Sequence, residues 1–165
     1  MMKYCGACGS SLSIEPLDEI DRLMCSARCG FVHWDNPTPV VAAIIEYQGK
    51  VLLARNAQWP EGWFALITGF LEKGETVEEG ILREVKEELN LDGRIEGFVG
   101  NYSFIEANQL LIVFHVIAEG EIALNEELVE YKLQDHRDVE PWSQGTGPAL
   151  KDWLAVQPSM NKTNN

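Results

Sequence analysis

The chain has 165 residues, enough for one ordinary domain and a small appendage. Hydrophobic residues make up 45% and charged ones 24%, which predicts a packed core, while 26 acidic against 13 basic residues leave a net charge of −13 that opposes binding along a nucleic-acid backbone. No apolar run approaches the roughly 18 residues of a membrane span, and Met1-Met2-Lys3-Tyr4-Cys5 lacks the apolar stretch of a secretion signal, so a cytoplasmic protein that contacts neither membrane nor nucleic acid is expected.

Residues 1–34 hold all four cysteines and little apolar periodicity. Cys5-x2-Cys8 and Cys25-x3-Cys29 are separated by 16 residues, a spacing that suits two turns converging on one tetrahedral ion. Each pair ends in Cys-Gly, at Gly9 and Gly30, and glycine lets a tight turn aim backbone N–H groups at thiolates. Disulfides are the competing reading, but a chain without a secretion signal belongs in a reducing compartment. His33 is an alternative ligand that four thiolates do not need. Residues 1–34 are therefore expected to be a small ribbon stapled by structural Zn²⁺, whose closed four-thiolate shell leaves no position for a substrate.

A joint, Asp35-Asn36-Pro37-Thr38-Pro39, leads into a mixed α/β domain over residues 35–157. Val40 to Tyr47 and Lys50 to Arg55 flank Gln48-Gly49 and predict a β-hairpin. Trp63 to Ile67 is expected to be a short strand and Thr76 to Asn90 a helix. Ile95 to Phe104 and Gln109 to Ala118 predict two more strands around a polar loop, with another at Leu128 to Leu133. Gly147 to Val156 predicts a closing amphipathic helix, and residues 158–165 a disordered tail.

The helix carries the most information. Thr76 followed by Glu79 makes a capping box, which sets its start. At about 100° per residue Ile81, Leu82, Val85 and Leu89 share one apolar stripe, while Glu84, Glu87 and Glu88 share another. Glutamates at i, i+3 and i+4 repel one another by a few tenths of a kcal/mol per pair. The plain alternative is a solvated face. A hard divalent ion instead turns the repulsion into ligation, because Mg²⁺ bridges carboxylates to phosphates.

The whole segment resembles the Nudix box, Gly-x5-Glu-x7-Arg-Glu-(apolar)-x-Glu-Glu-x-Gly-(apolar). Gly69, Glu75, Arg83, Glu84, Val85, Glu87, Glu88 and Leu91 fall in place, and Asn90 stands where the pattern has its last glycine. Both residues tolerate the left-handed conformation that ends a helix. The resemblance implies an α/β (α+β) Nudix fold, a mixed sheet between helices behind the N-terminal zinc ribbon. It also implies hydrolysis of a nucleoside diphosphate linked to another group, by water activated at Mg²⁺ or Mn²⁺, with release of a nucleoside monophosphate. Glu84, Glu87, Glu88 and the Gly69 carbonyl would bind that metal, and Glu75 and Arg83 would pair to hold the loop on the helix. The general base is left among Glu84, Glu106 and Glu130, and Glu130 also stands where related enzymes often supply another metal ligand. A homodimer is implied by the same resemblance.

A ribbon ahead of such a domain is similar to NADH pyrophosphatases and their relatives acting on FAD or ADP-ribose. The similarity runs from Cys5 to about Tyr131, through Cys29-Gly30-x5-Asn36-Pro37 and Gly49-Lys50-Val51-Leu52-Leu53. The Ser-Gln-Pro-Trp-Pro-Phe-Pro-x-Ser motif of the NADH enzymes is absent, with residues 100–109 reading Gly-Asn-Tyr-Ser-Phe-Ile-Glu-Ala-Asn-Gln instead. A small-molecule substrate such as ADP-ribose, FAD or a related dinucleotide is therefore expected. An adenine or flavin ring needs a flat apolar partner, for which Trp59, Trp63, Phe70, Tyr102 and Phe104 are near enough in sequence. Trp59 is foremost, since it lies in a loop before a strand, and Arg55 is a candidate phosphate contact. A catalytically silent nucleotide sensor with a zinc-ribbon interaction module is the alternative function, and it would be favoured by loss of box glutamates, none of which is lost.

Overall fold

In the computed structural model, which describes residues 2–157, the chain divides into two compact units with the boundary between Asn36 and Pro37. The predicted tail at 158–165 lies outside the described residues. No helix among the described residues is long and apolar enough to cross a membrane.

The first unit contains three short strands, which the sequence reading did not place: β1 (Leu12–Leu17), β2 (Ile20–Cys25) and β3 (Val32–His33), antiparallel in the order β1-β2-β3. Two causes hid them. The β1–β2 turn is Asp18-Glu19, both at positive φ (50° and 66°), without the Asn-Gly or Asp-Gly that usually announces such a turn. Pro16 interrupts β1, which tolerates it because β1 is an edge strand. Among the described residues of this unit the buried apolar ones are Cys5 and Cys25, and no aliphatic side chain is fully buried. A unit of this kind has almost no hydrophobic core to hold it.

The second unit is built on a six-stranded mixed sheet. Its main order is β7-β8-β4-β5-β9, where β4 is Thr38–Tyr47, β5 Lys50–Asn56, β7 Asp92–Phe104, β8 Gln109–Glu119 and β9 Leu128–Gln134. β4 runs parallel to β8 and antiparallel to β5, and its first half also pairs with β6 (Ile67–Phe70). The β4–β5 hairpin turns at Gln48-Gly49, both at positive φ, as the sequence predicts. β6 starts where the expected strand at Trp63 to Ile67 ends. Before Ile67 the backbone makes only an isolated bridge, Ala65 to Ala54, so the aromatic run Trp63-Phe64 lies in a loop. β7 begins at Asp92, three residues earlier than predicted.

Val40 to Ile45 is buried on both faces, which explains its unbroken apolar run. Val41, Ala43 and Ile45 meet Ile81, Val85 and Leu89 of α1 (Val77–Leu89). Val40, Ala42 and Ile44 belong to a second cluster with Leu150 and Trp153 of α2 (Gly147–Val156). The sheet is thus sandwiched between one helix that carries the glutamates and one that is ordinary core. Leu82 is only half-buried, at the margin of the α1 stripe.

Candidate active site

Local chemistry sets α1 in place before any ligand is considered. Thr76 Oγ1 accepts from the Glu79 N–H at 3.2 Å, and the Glu79 carboxylate accepts from the Thr76 N–H at 2.8 Å. At the other end Asn90 adopts φ 58° and donates its N–H to the Lys86 carbonyl. Asparagine therefore supplies the left-handed cap for which the box pattern uses glycine.

Arg83 is the centre of the carboxylate cluster. Its guanidinium binds Glu75 through two contacts of 2.9 and 3.0 Å, Glu84 at 2.7 Å and Glu87 at 3.0 Å, and donates to the Phe70 carbonyl at 3.2 Å. The paired Arg83 side chain holds the Glu75 carboxyl down to about 2. Glu84 is pushed the other way: burial raises it and Arg83 only partly offsets that. Glu88 is 9% exposed and has no ion pair with a Lys, Arg or His among the described residues. Burial, then the charges of Glu84, Glu127 and Glu87, push it up to about 8. One buried carboxylate is thus left without a cation, beside another that only shares one.

Gly69 on β6 meets this cluster from the sheet side. A Cβ there would lie 1.9 Å from the Glu84 carboxyl carbon, so only glycine lets Glu84 lie over the strand. Glu84, Glu88 and the Gly69 backbone fit a hard, oxygen-seeking divalent cation. Glu87 lies on the same stripe but is more exposed, at 57% of its side chain, and turns to Arg83. Among the described residues the carboxylate oxygens do not converge as tightly as the four cysteine sulfurs do.

A residue the sequence reading missed joins them. The segment after β8 folds back on the end of α1, where the Asn125 and Ala123 N–H groups donate to the Glu88 and Leu89 carbonyls and satisfy two of the helix's unpaired acceptors. This brings the charge of Glu127 onto both Glu84 and Glu88. The Glu127 carbonyl accepts from the Ala57 N–H at 2.8 Å, which ties the segment to the end of β5. Only the acidic pair Glu126-Glu127 marks the position in sequence, and nothing local foretells the fold-back.

The other candidates are distributed differently. Glu130 sits across the β5–β9 ladder from Arg55 and pairs with it at 3.1 Å. Arg55 also donates to the Trp59 carbonyl at 3.4 Å, so it anchors the Trp59 loop. Glu106 lies exposed in a 3₁₀ turn at Ile105–Ala107. Phe70 is 60% exposed and its carbonyl serves Arg83. Tyr102 packs with the α2 cluster and donates its hydroxyl to Asp152 at 3.0 Å.

Of the five aromatic candidates Trp59, Trp63 and Phe104 line a large cleft of about 570 Å³, whereas Phe70 and Tyr102 do not. Phe64 and Trp142 supply more of its aromatic wall. Thr68 opens into the cleft, whereas its neighbour Gly69 faces Glu84. The alternation of a β-strand therefore places cleft and carboxylates on opposite faces of β6.

The four cysteines gather at one point. Cys5 and Cys29 Sγ are 3.5 Å apart, Cys8 and Cys25 Sγ 3.4 Å, and all four sulfurs lie within 4.8 Å of one another. These are free thiols, far beyond the roughly 2 Å of a disulfide. They approach the edge of about 3.8 Å that a tetrahedron with 2.3 Å zinc–sulfur bonds requires. Gly9 and Gly30 take φ 76° and 91° after Cys8 and Cys29. The thiols titrate together: hydrogen bonds from the Ser10 hydroxyl and N–H lower Cys8 to about 6. Against a hydrogen bond from the Phe31 backbone, the neighbouring thiols Cys25, Cys5 and Cys8 and desolvation raise Cys29 to about 12. The cluster is consistent with a zinc site.

Comparison with known proteins gives a consistent picture. The family model of the NUDIX domain matches residues 36–153. The NAD-capped RNA hydrolase NudC of Pseudomonas aeruginosa is 28% identical over 129 residues, 78% of this chain and 45% of that protein. Its namesake from Pseudomonas fluorescens is 30% identical over 129 residues, 78% of this chain and 46% of the relative. The chain spans about half the length of the curated relatives it matches. Among solved structures, a Nudix hydrolase from Nitrosomonas europaea superposes with a TM-score of 0.80 at 27% identity, covering 94% of this chain and 92% of the other. An ADP-ribose pyrophosphatase from Streptococcus suis shares the fold, with a TM-score of 0.62 at 22% identity over 76% of this chain and 95% of its own.

Proposed function

The chain belongs to the Nudix family, and from that premise we propose that it cleaves the pyrophosphate of a nucleoside diphosphate linked to a second group, such as ADP-ribose, FAD or a related dinucleotide, and releases a nucleoside monophosphate. The observation that carries this reading is Glu88: a buried carboxylate without a cation, next to a second carboxylate fitted over a glycine. Such an arrangement is unfavourable by itself and is relieved by a divalent ion.

Glu84, Glu87, Glu88 and the Gly69 carbonyl are the residues that would hold Mg²⁺ or Mn²⁺. When bound, such an ion neutralises charge on the pyrophosphate and acidifies water. Arg83 and Glu75 brace the loop before α1, so the glutamates keep their orientation. Glu127 replaces Glu130 as the best loop carboxylate, since Glu130 is engaged by Arg55. A carboxylate of this cluster, Glu127 or Glu84, receives the proton of the attacking water as the bridging P–O bond breaks. The aromatic cleft on the far side of β6 receives a ring of the substrate, with Trp59 as one wall. Cys5, Cys8, Cys25 and Cys29 hold structural Zn²⁺, which suits a reduced, cytoplasmic location.

The curated relatives are named for NAD-capped RNA. A capped end would offer this chain a pyrophosphate-linked dinucleotide, so the charge of −13 argues against contacts along an RNA backbone and not against a cap.

The test is product release from ADP-ribose, FAD, NAD, NADH, diadenosine polyphosphates and an NAD-capped oligonucleotide, with Mg²⁺ or Mn²⁺ and without either. Metal-dependent release of a nucleoside monophosphate is the expected result. Nucleotide binding with silence across the panel would replace the hydrolase by a nucleotide sensor. Sedimentation of the same protein decides whether it is a homodimer.

A further inference from the structure

We propose that the aromatic cleft is a selective reader of adenine, with the side-chain amides of Gln109 and Gln144 as its specificity determinants. The inference rests on the hydrolase reading for its setting but makes a separate claim about which nucleobase is accepted.

The first observation is what the cleft lacks. Charged residues make up 24% of this chain, yet none lines the cleft. The two cations attached to its walls are committed elsewhere: Arg55 pairs with Glu130, and the Lys132 ammonium sits 4.5 Å from the centre of the Phe64 ring. The second observation is what the cleft offers. Gln109 opens β8, Gln144 lies in the loop before α2, and Thr68 and Thr146 stand beside them. None of these four side chains makes a hydrogen bond among the described residues, and Thr146 is 6% exposed with its hydroxyl not used to cap α2. Gln144 is exposed at the rim of the cleft and Gln109 and Thr68 are half-buried in its wall, so their unpaired polar groups stand beside the aromatic rings where a ligand's edge can meet them.

The chemistry of the edges selects the base. Adenine presents an amino donor beside a ring-nitrogen acceptor, which one carboxamide matches with its oxygen and its NH₂ together. Guanine presents two adjacent acceptors on one edge, read best by an Arg or Lys, and on its other edge two donors that suit a carboxylate. A cleft without cation or anion serves neither edge well. Stacking between aromatic walls favours any base and so does not discriminate. The amides therefore carry the choice.

The experiment titrates AMP and GMP into the full-length, zinc-loaded protein with no Mg²⁺ or Mn²⁺ added, following tryptophan fluorescence. Three of the five tryptophans, Trp59, Trp63 and Trp142, line the cleft. AMP is expected to bind more tightly than GMP by roughly 5- to 150-fold, the range a good bidentate contact provides. Gln144→Glu or Gln109→Glu keeps the shape but replaces the donor by an acceptor, and should collapse the ratio to one or carry it toward GMP, whose two-donor edge suits a carboxylate. Gln144→Arg supplies two donors and should swing the preference toward GMP, a gain that a misfolded variant cannot mimic. Equal affinities in the wild-type protein, or a ratio that survives all three substitutions, overturns the proposal. Selective AMP binding without metal-dependent cleavage of any panel substrate would sink the hydrolase and leave the reader standing. Cleavage that ignores the base would do the reverse.

Discussion

The ribbon and the acidic helix are two clusters of metal-binding residue types prepared in opposite ways. In the ribbon, four soft ligands converge within 4.8 Å, and among the described residues the only buried apolar ones are two of those ligands, Cys5 and Cys25. In the second unit α1 buries Ile81, Val85 and Leu89 against a continuous sheet, a core that owes nothing to a metal ligand. There the glutamates are held by Arg83, and only Glu88 is left buried without a counter-charge. The contrast separates an ion that would make a fold from an ion that a finished fold would use.

The sharpest way to break this comparison is to remove zinc. Chelation, or Cys5→Ser, should abolish zinc binding worth on the order of 10 kcal/mol of apparent folding free energy. Amide exchange should rise across residues 2–36 and change little in α1 or β4. Unchanged zinc content would refute the ribbon assignment, and loss of protection throughout β4 would refute the contrast.

The next effect concerns Glu88. Glu88→Gln should lower kcat with the preferred metal by about 100-fold or more, as expected when a ligand acting on transition-state charge is lost. The same substitution should raise the melting temperature measured near neutral pH without divalent cations, since folding no longer has to protonate a carboxyl that burial pushes up to about 8. A variant less stable than the parent in metal-free buffer would contradict the account of Glu88.

Gly69→Ala comes third. Its methyl group must displace Glu84, and a misplacement of that order costs about 10- to 100-fold in turnover. Global stability should change little, because the glycine has φ outside the left-handed region and is no turn residue. Full activity in this variant would mean that Glu84 is not needed where the structure puts it.

The smallest effect is a pH dependence. Glu75 titrates near 2 in the folded chain against an ordinary value of 4.5. Its folded value is depressed, so its contribution to stability is complete above the ordinary value and fades as pH falls toward 2. Urea midpoints of the parent and of Glu75→Gln, measured between pH 7 and pH 2.5, should therefore converge in acid. Curves that stay parallel would show that the Arg83 pair does not stabilise the fold.

The legibility of the molecule follows the range of the forces involved. The α1 helix could be read almost residue by residue, since its start, its stripe and its left-handed end are encoded within five residues of where they act. The cysteine cluster was equally plain, because ligand spacing is a local property. The strands of the ribbon were hidden by a turn of Asp18-Glu19 and by Pro16. Glu127 was not among the candidates, which named Glu84, Glu106 and Glu130, because its nearness to α1 depends on a long-range fold-back onto the α1 carbonyls. Tyr102 and Trp59 were both ring candidates, and only the face of the sheet on which each lands separates them. Trp63 and Phe64 read as strand because their aromatic character suits one, yet the backbone there is spent on a loop that walls the cleft.

β6 is only four residues long, but it serves as a ruler. Thr68 looks toward the ring cleft and Gly69 toward the glutamates, so a single peptide unit sets the offset between the two. Both residues are locked into step with Val41 and Ala42 of the central strand, which is buried on both faces. On the proposed reading, mutation of the surrounding loops would retune which molecule is gripped without changing how far a ring in the cleft lies from a pyrophosphate at the glutamates. A substrate with a longer or shorter bridge would then demand a different register of β6 on β4.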